Sequence, residues 1–154
     1  MQQTSDIIIS DTSCLIILDK IDELELLMKV GHSVYVTPII LEEFGRSLPD
    51  WISVASPINM QFQQILELEL NQGEASAIAL SLDIDNSMLI IDELKGRKIA
   101  EKLGLRYSGT FGLILKAKQL GVINSVKPIL NKIRSTNFRF NEQLFETVLE
   151  QAGE

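Results

Sequence analysis

Ile7-Ile8-Ile9-Ser10-Asp11-Thr12-Ser13 is a short β-branched run that closes on an acid and passes into hydroxyl side chains. Side chains alternate between the two faces of a strand, so three consecutive Ile residues fit a strand covered on both sides. Met88-Leu89-Ile90-Ile91-Asp92-Glu93 repeats the pattern, an apolar run again closed by an acid. Val34-Tyr35-Val36 is a further strand, and Trp51–Ala55 reads as a short edge strand. Leu105–Ser108 gives one more. Helical patterns lie between these runs. Residues 12–29 form one or two helices, with Leu15, Leu18, Ile21, Leu24 and Leu27 on the apolar side. Thr37-Pro38 opens a helix, Thr as cap and Pro in the first turn. Helices are expected over Asn59–Leu70, Gly73–Leu82, Glu93–Leu103, Thr110–Leu120, Ser125–Arg134 and Asn141–Gln151. Short apolar strands separated by helices indicate an α/β fold, a central parallel sheet with helices on both faces. In such sheets a site lies outside the carboxyl ends of the strands.

The chain has 154 residues and no repeat, linker or low-complexity tract, so one domain over residues 1–154 is expected. No apolar run approaches the roughly 20 residues that span a bilayer. The amino terminus lacks a basic region followed by an apolar core, and a cytoplasmic protein is expected. One cysteine, Cys14, leaves no internal disulfide and no multi-cysteine zinc site, and His32 is the only histidine. Cys14 reads as core and His32 as a loop residue. The net charge of -7 conceals an asymmetry. Residues 95–139 hold 11 of the 14 basic residues against one acid, Glu101. An acidic chain is not a histone-like binder, but this segment keeps a polyanion partner open. The other reading is that basic and acidic segments pair with each other across the fold.

Asp11 and Asp92 both stand at the carboxyl ends of buried strands. If those strands are neighbours, the carboxylates meet. Helix capping explains one such Asp equally well. Two further acids join them. Glu42 precedes Arg46 by four residues, the favourable order for an exposed ion pair. Glu43 borders the apolar face beside Phe44 and is the better inward carboxylate. Gly73-Glu74-Ala75-Ser76-Ala77 starts a helix with small residues that allow close approach, and Glu74 falls on its buried side. Asp11, Glu43, Glu74 and Asp92 thus come from four elements. Held together without a cation they would repel one another and raise their pKa values. Oxygen ligands with almost no His or Cys suit Mg²⁺ or Mn²⁺, and the implied chemistry is metal-assisted phosphodiester hydrolysis.

In this order and at these positions the four acids resemble the metal-binding carboxylates of the PIN-domain ribonucleases. The closer likeness is to bacterial and archaeal PIN-like proteins related to VapC-type toxins. It runs through Ser10-Asp11-Thr12-Ser13, Val36-Thr37-Pro38 to Glu43-Phe44, Gly73-Glu74-Ala75, Ile91-Asp92-Glu93 with Gly96-Arg97, Leu103-Gly104-Leu105 and Ser108-Gly109-Thr110. The resemblance implies a three-layer α/β/α domain and a Mg²⁺- or Mn²⁺-dependent endoribonuclease acting on RNA. It also implies frequent homodimers and often a cognate antitoxin protein. It assigns Asp11, Glu43, Glu74 and Asp92 to metal and catalysis. The related proteins commonly carry two adjacent Asp where this chain has Asp92-Glu93, so Glu93 is a further metal candidate. Thr12, Ser13 and Thr110 become supporting hydroxyls, although each also starts a helix. Lys95, Arg97 and Lys98 would steer RNA phosphates, Arg97 foremost.

Two other classes compete. A phosphoaspartate phosphatase or receiver-like switch also gathers Asp at strand ends. However, Asp11-Thr12-Ser13 lacks the second Asp two residues on, and Glu43 and Glu74 come from the wrong elements for a receiver. A non-catalytic interaction module on a PIN scaffold would have no need of all four carboxylates.

Overall fold

The computed structural model describes residues 6–154, so residues 1–5 of the expected domain lie outside the described residues. Five strands form one all-parallel sheet: β1 (Ile7–Ser10), β2 (Ser33–Val36), β3 (Ile52–Val54), β4 (Ser87–Ile90) and β5 (Tyr107–Ser108). Their spatial order is β3-β2-β1-β4-β5. The strands carrying the two Asp candidates are therefore neighbours, with Ser10 level with Ile90. Consecutive residues of β1 and β4 point to opposite faces, yet Ile8, Ile9, Leu89 and Ile90 are all fully buried. Both faces are thus covered, which gives the three-layer α/β/α arrangement.

Among the described residues the helices are α1 (Thr12–Lys20), α2 (Leu26–Val30), α3 (Pro38–Phe44), α4 (Met60–Leu66), α5 (Gln72–Asp83), α6 (Leu94–Lys102), α7 (Thr110–Gln119), α8 (Lys127–Arg134) and α9 (Glu142–Gln151). Thr37 caps α3 with its hydroxyl, and Pro38 fills the first turn, where a missing N–H costs nothing. α1, α3 and α5 pack in succession, while α2 packs on α7 and α7 on α9. No helix among the described residues is long and apolar enough to cross a membrane.

α4 is shorter than its periodicity predicts. After Leu66 the chain tightens, Leu68 N–H bonding Ile65 C=O and Glu69 N–H bonding Leu66 C=O, so Glu67–Leu70 leaves the α-helical path. The ion pair expected between Glu42 and Arg46 is not formed. Arg46 Nη1 reaches Asp19 on α1 at 2.7 Å instead.

β1 connects onward to β2 on one side, and β4 lies on its other side. The direction of strand progression reverses between β1 and β4. The carboxyl ends of these two strands are where such sheets hold ligands.

Candidate active site

Asp11 follows β1 directly and is 3% exposed. Its side chain caps α1, Oδ1 accepting from Cys14 N–H at 2.8 Å. Oδ2 accepts from Asp92 N–H at 3.0 Å. Capping and clustering, alternatives on sequence alone, are one geometry here. Burial, then the charge of Asp92, pushes the Asp11 carboxyl from 3.8 up to about 7, with Glu74 adding to the rise. The two N–H donors pull the other way without prevailing.

Asp92 does not cap the helix that follows it. Glu93 does, accepting from Lys95 N–H at 3.4 Å. Asp92 turns towards α7, whose own cap residue is Gly109 and carries no side chain. Oδ1 of Asp92 accepts from Thr110 N–H at 2.7 Å and Oδ2 from Thr110 Oγ1 at 2.6 Å. A Cβ on Gly109 would stand 2.8 Å from Asp92 Oδ1 and 3.4 Å from Arg97 Nη2, so the bare Cα admits both groups.

Glu43 is exposed as a residue, but its tip is held. Thr12 Oγ1 donates to Oε1 at 2.5 Å. On its other side the carboxylate lies against Gly73. Glu74 sits at the third position of α5, where Asn71 Oδ1 accepts its N–H at 2.8 Å. Burial raises the Glu74 carboxyl. The Asn71 N–H lowers it, and the charges of Glu93 and Glu43 raise it further. This reciprocal cap explains part of its placement independently of any ligand.

The structure thus joins Asp11, Asp92 and Thr110 directly, links Thr12 to Glu43, and brings Glu43 and Glu93 each within electrostatic reach of Glu74. Ser13 is exposed and makes no side-chain hydrogen bond among the described residues. Thr37 and Ser76, which the sequence reading assigned no role in the site, are fully buried and share a hydroxyl hydrogen bond of 2.7 Å. Nothing local marks that pairing, since the two are 39 residues apart.

Among the described residues no three His, Cys, Asp or Glu side chains are placed to hold one metal ion. Hydrogen bonds to backbone and hydroxyl groups engage both oxygens of Asp11 and of Asp92. The chemistry of the donor set still fits Mg²⁺ or Mn²⁺. The donors are oxygens, and none of the five acids is neutralised by an ion pair among the described residues. Such ions keep several waters and need only one or two carboxylates.

The cations of the basic segment differ in what they hold. Arg106 and Lys116 hold Asp6, Lys118 holds Glu154, Lys132 holds Glu23 and Arg134 holds Glu142. Five of the eleven cations in residues 95–139 are therefore spent on the fold. Lys95, Arg97, Lys98 and Lys102, all on α6, make no ion pair among the described residues. Arg97 lies 5.7 Å from the Tyr107 ring centroid, and its Nε is buried without a partner. The helix that carries these four cations begins two residues after Asp92.

A family model described as a PIN domain matches residues 7–154. No curated protein matches this chain.

Proposed function

The chain belongs to the PIN-domain family, whose members are generally nucleases that use divalent metals, and on that premise we propose that it is a metal-dependent endoribonuclease of the VapC-like kind. The observation that carries the proposal is the meeting of Asp11 and Asp92 at the ends of neighbouring parallel strands, beside the α6 cations that form no ion pair among the described residues. Asp11, Asp92, Glu43 and Glu74 would hold Mg²⁺ or Mn²⁺, with Glu93 at the edge of the set. A bound ion of this class supplies an activated water and neutralises charge on the phosphodiester.

The chain's own groups do the positioning. Cys14 N–H and Asp92 N–H fix both oxygens of Asp11. Thr110 fixes both oxygens of Asp92, and Thr12 fixes Glu43. Arg97 offers a planar fork to a phosphate, while Lys95 and Lys98 offer point charges. The partners this reading carries with it are an RNA substrate, a second copy of the chain and a cognate antitoxin.

Incubation with a mixed RNA pool tests the activity. Internal cleavage is expected in Mn²⁺ or Mg²⁺, none in EDTA, and none with folded Asp92→Asn. Cleavage that persists in EDTA, or in Asp92→Asn, overturns the proposal.

A further inference from the structure

Gly73 is the second residue of α5, and its backbone does not call for glycine, since its φ is not among the positive values. Alanine is the better helix former at such a place. The space around the Cα gives the reason for glycine. A Cβ there would meet Oε1 of Glu43, 3.0 Å from its Cδ and 3.1 Å from its Oε2. The Glu43 carboxylate is therefore seated between the Gly73 Cα and the Thr12 hydroxyl.

A buried clasp holds the two helices at that spacing. Ile40 N–H donates to Thr37 Oγ1 at 3.2 Å. Ser76 Oγ donates to Gly73 C=O at 2.8 Å, so the proton between the two hydroxyls comes from Thr37. Thr37 caps α3, which carries Glu43, and Ser76 lies in the first turns of α5. The clasp thus ties the start of one helix to the residue that receives the other helix's acid.

We propose that Gly73 is a positioning residue: its bare Cα is the slot that sets the Glu43 carboxylate against α5, and the Thr37–Ser76 hydroxyl pair holds the slot at its width. The inference rests on Glu43 being a metal-site carboxylate. What a methyl at Gly73 would strike is the tip of a flexible side chain and not backbone. The fold accommodates it, and the cost falls on the site.

Mn²⁺ binding, read from the electron paramagnetic resonance signal of the free ion, and thermal melting in EDTA test this without any RNA. Gly73→Ala should melt no lower than wild type in EDTA. It should bind Mn²⁺ about tenfold to a hundredfold more weakly, the usual loss when a group that orients a ligand is disturbed. In a Glu43→Asp background the shorter carboxylate no longer reaches the slot. The same substitution should then change affinity by less than about twofold. Wild-type affinity in Gly73→Ala, an equal loss in both backgrounds, or a lower melt in EDTA overturns the inference alone. A wild-type protein that binds no Mn²⁺ overturns the metal-site reading first and the inference with it.

Discussion

The backbone N–H of Asp92 donates to Oδ2 of Asp11 at 3.0 Å. One acid's main chain thus supports the other acid's charge, while its side chain opposes that charge from the neighbouring strand. The arrangement is a compromise between two terms. Hydrogen bonding to the ionised form favours charge on Asp11, whereas burial and the second carboxylate disfavour it more.

Replacing Asp92 and replacing Asp11 should therefore differ. In Asp92→Asn the amide oxygen can still accept from Thr110 N–H, and the amide N–H can donate to Thr110 Oγ1. The charge goes and both bonds survive. In Asp11→Asn one amide face must meet the N–H of Cys14 or of Asp92. A buried donor left so costs about 1–3 kcal/mol. In EDTA at neutral pH, Asp92→Asn should melt above Asp11→Asn and above wild type. For about 1 kcal/mol the gain is roughly 2–4 °C in a chain of this size. Saturating Mn²⁺ should raise wild type by about 2.7 kcal/mol at a hundred times the dissociation constant, and Asp92→Asn by less. Equal melts for both variants, with no response of wild type to Mn²⁺, would contradict the clustered site.

The pH dependence follows from Asp11. Its folded pKa of about 7 lies above the ordinary 3.8. Across that window the folded chain keeps a proton that the unfolded chain has released, so stability falls as pH rises through it. Asp6 and Glu154 act oppositely, because cationic and N–H donors lower both carboxyls, and they withdraw stability only in acid. Melting in EDTA between about pH 5 and pH 8 should report Asp11 together with Glu74, whose carboxyl burial also raises, and the Asp11 variant separates the two. The melting temperature should fall over that range, and Asp11→Asn should flatten the fall. Mn²⁺ competes with the same proton, so its affinity should rise up to about pH 7. A flat wild-type profile would place Asp11 in a wetter environment than its 3% exposure implies.

What could be read from the sequence was local or periodic. Apolar runs closing on Asp11 and Asp92 announced strand ends, and Thr37-Pro38 announced a capped helix. These signals are carried by residues a few positions apart, where backbone sterics and capping act directly. Partner choice was not legible. Arg46 passes over Glu42, one helical turn away, for Asp19, because α1 and α3 pack side by side. The Thr37–Ser76 clasp and the pairing of Lys132 with Glu23 likewise join residues far apart in sequence. The basic segment read as one block because the sequence alone does not show which cations the fold consumes. Ser13 looked equivalent to Thr12, but the start of α1 sends one hydroxyl to Glu43 and leaves the other exposed.

Glu42 and Glu43 should separate in activity. Both are exposed on α3, but only Glu43 takes the Thr12 hydroxyl and lies against Gly73. Glu43→Gln should lower kcat/KM for RNA by about tenfold to a hundredfold, since it removes a charge from the site but keeps an acceptor. Thr12→Val should give a smaller loss. Glu42→Gln should stay near wild type. Comparable losses at both glutamates, in proteins with unchanged melts, would remove Glu43 from the site.

The last expectation concerns α6. Lys95, Arg97 and Lys98 make no ion pair among the described residues, whereas Lys132 and Arg134 are held by Glu23 and Glu142. Only cations without an internal partner are free to release counterions from RNA. Each phosphate contact on a single strand contributes about 0.7 to the slope of log affinity against log salt. Replacing Lys95, Arg97 and Lys98 with Gln should weaken RNA binding and reduce that slope by up to about 2. Replacing Lys132 and Arg134 with Gln should leave the slope nearly unchanged, although each loses a surface pair worth about 0–1 kcal/mol of stability. Arg97→Lys keeps the charge and should keep the slope. It should still bind more weakly, because a point charge replaces a planar fork whose orientation over Tyr107 is already set. Binding measured by fluorescence anisotropy across a salt series, with catalytically silent Asp92→Asn as the background, separates these outcomes. A slope unaltered by the α6 substitutions, or lowered as much by those at Lys132 and Arg134, would show that α6 is not the surface that meets RNA.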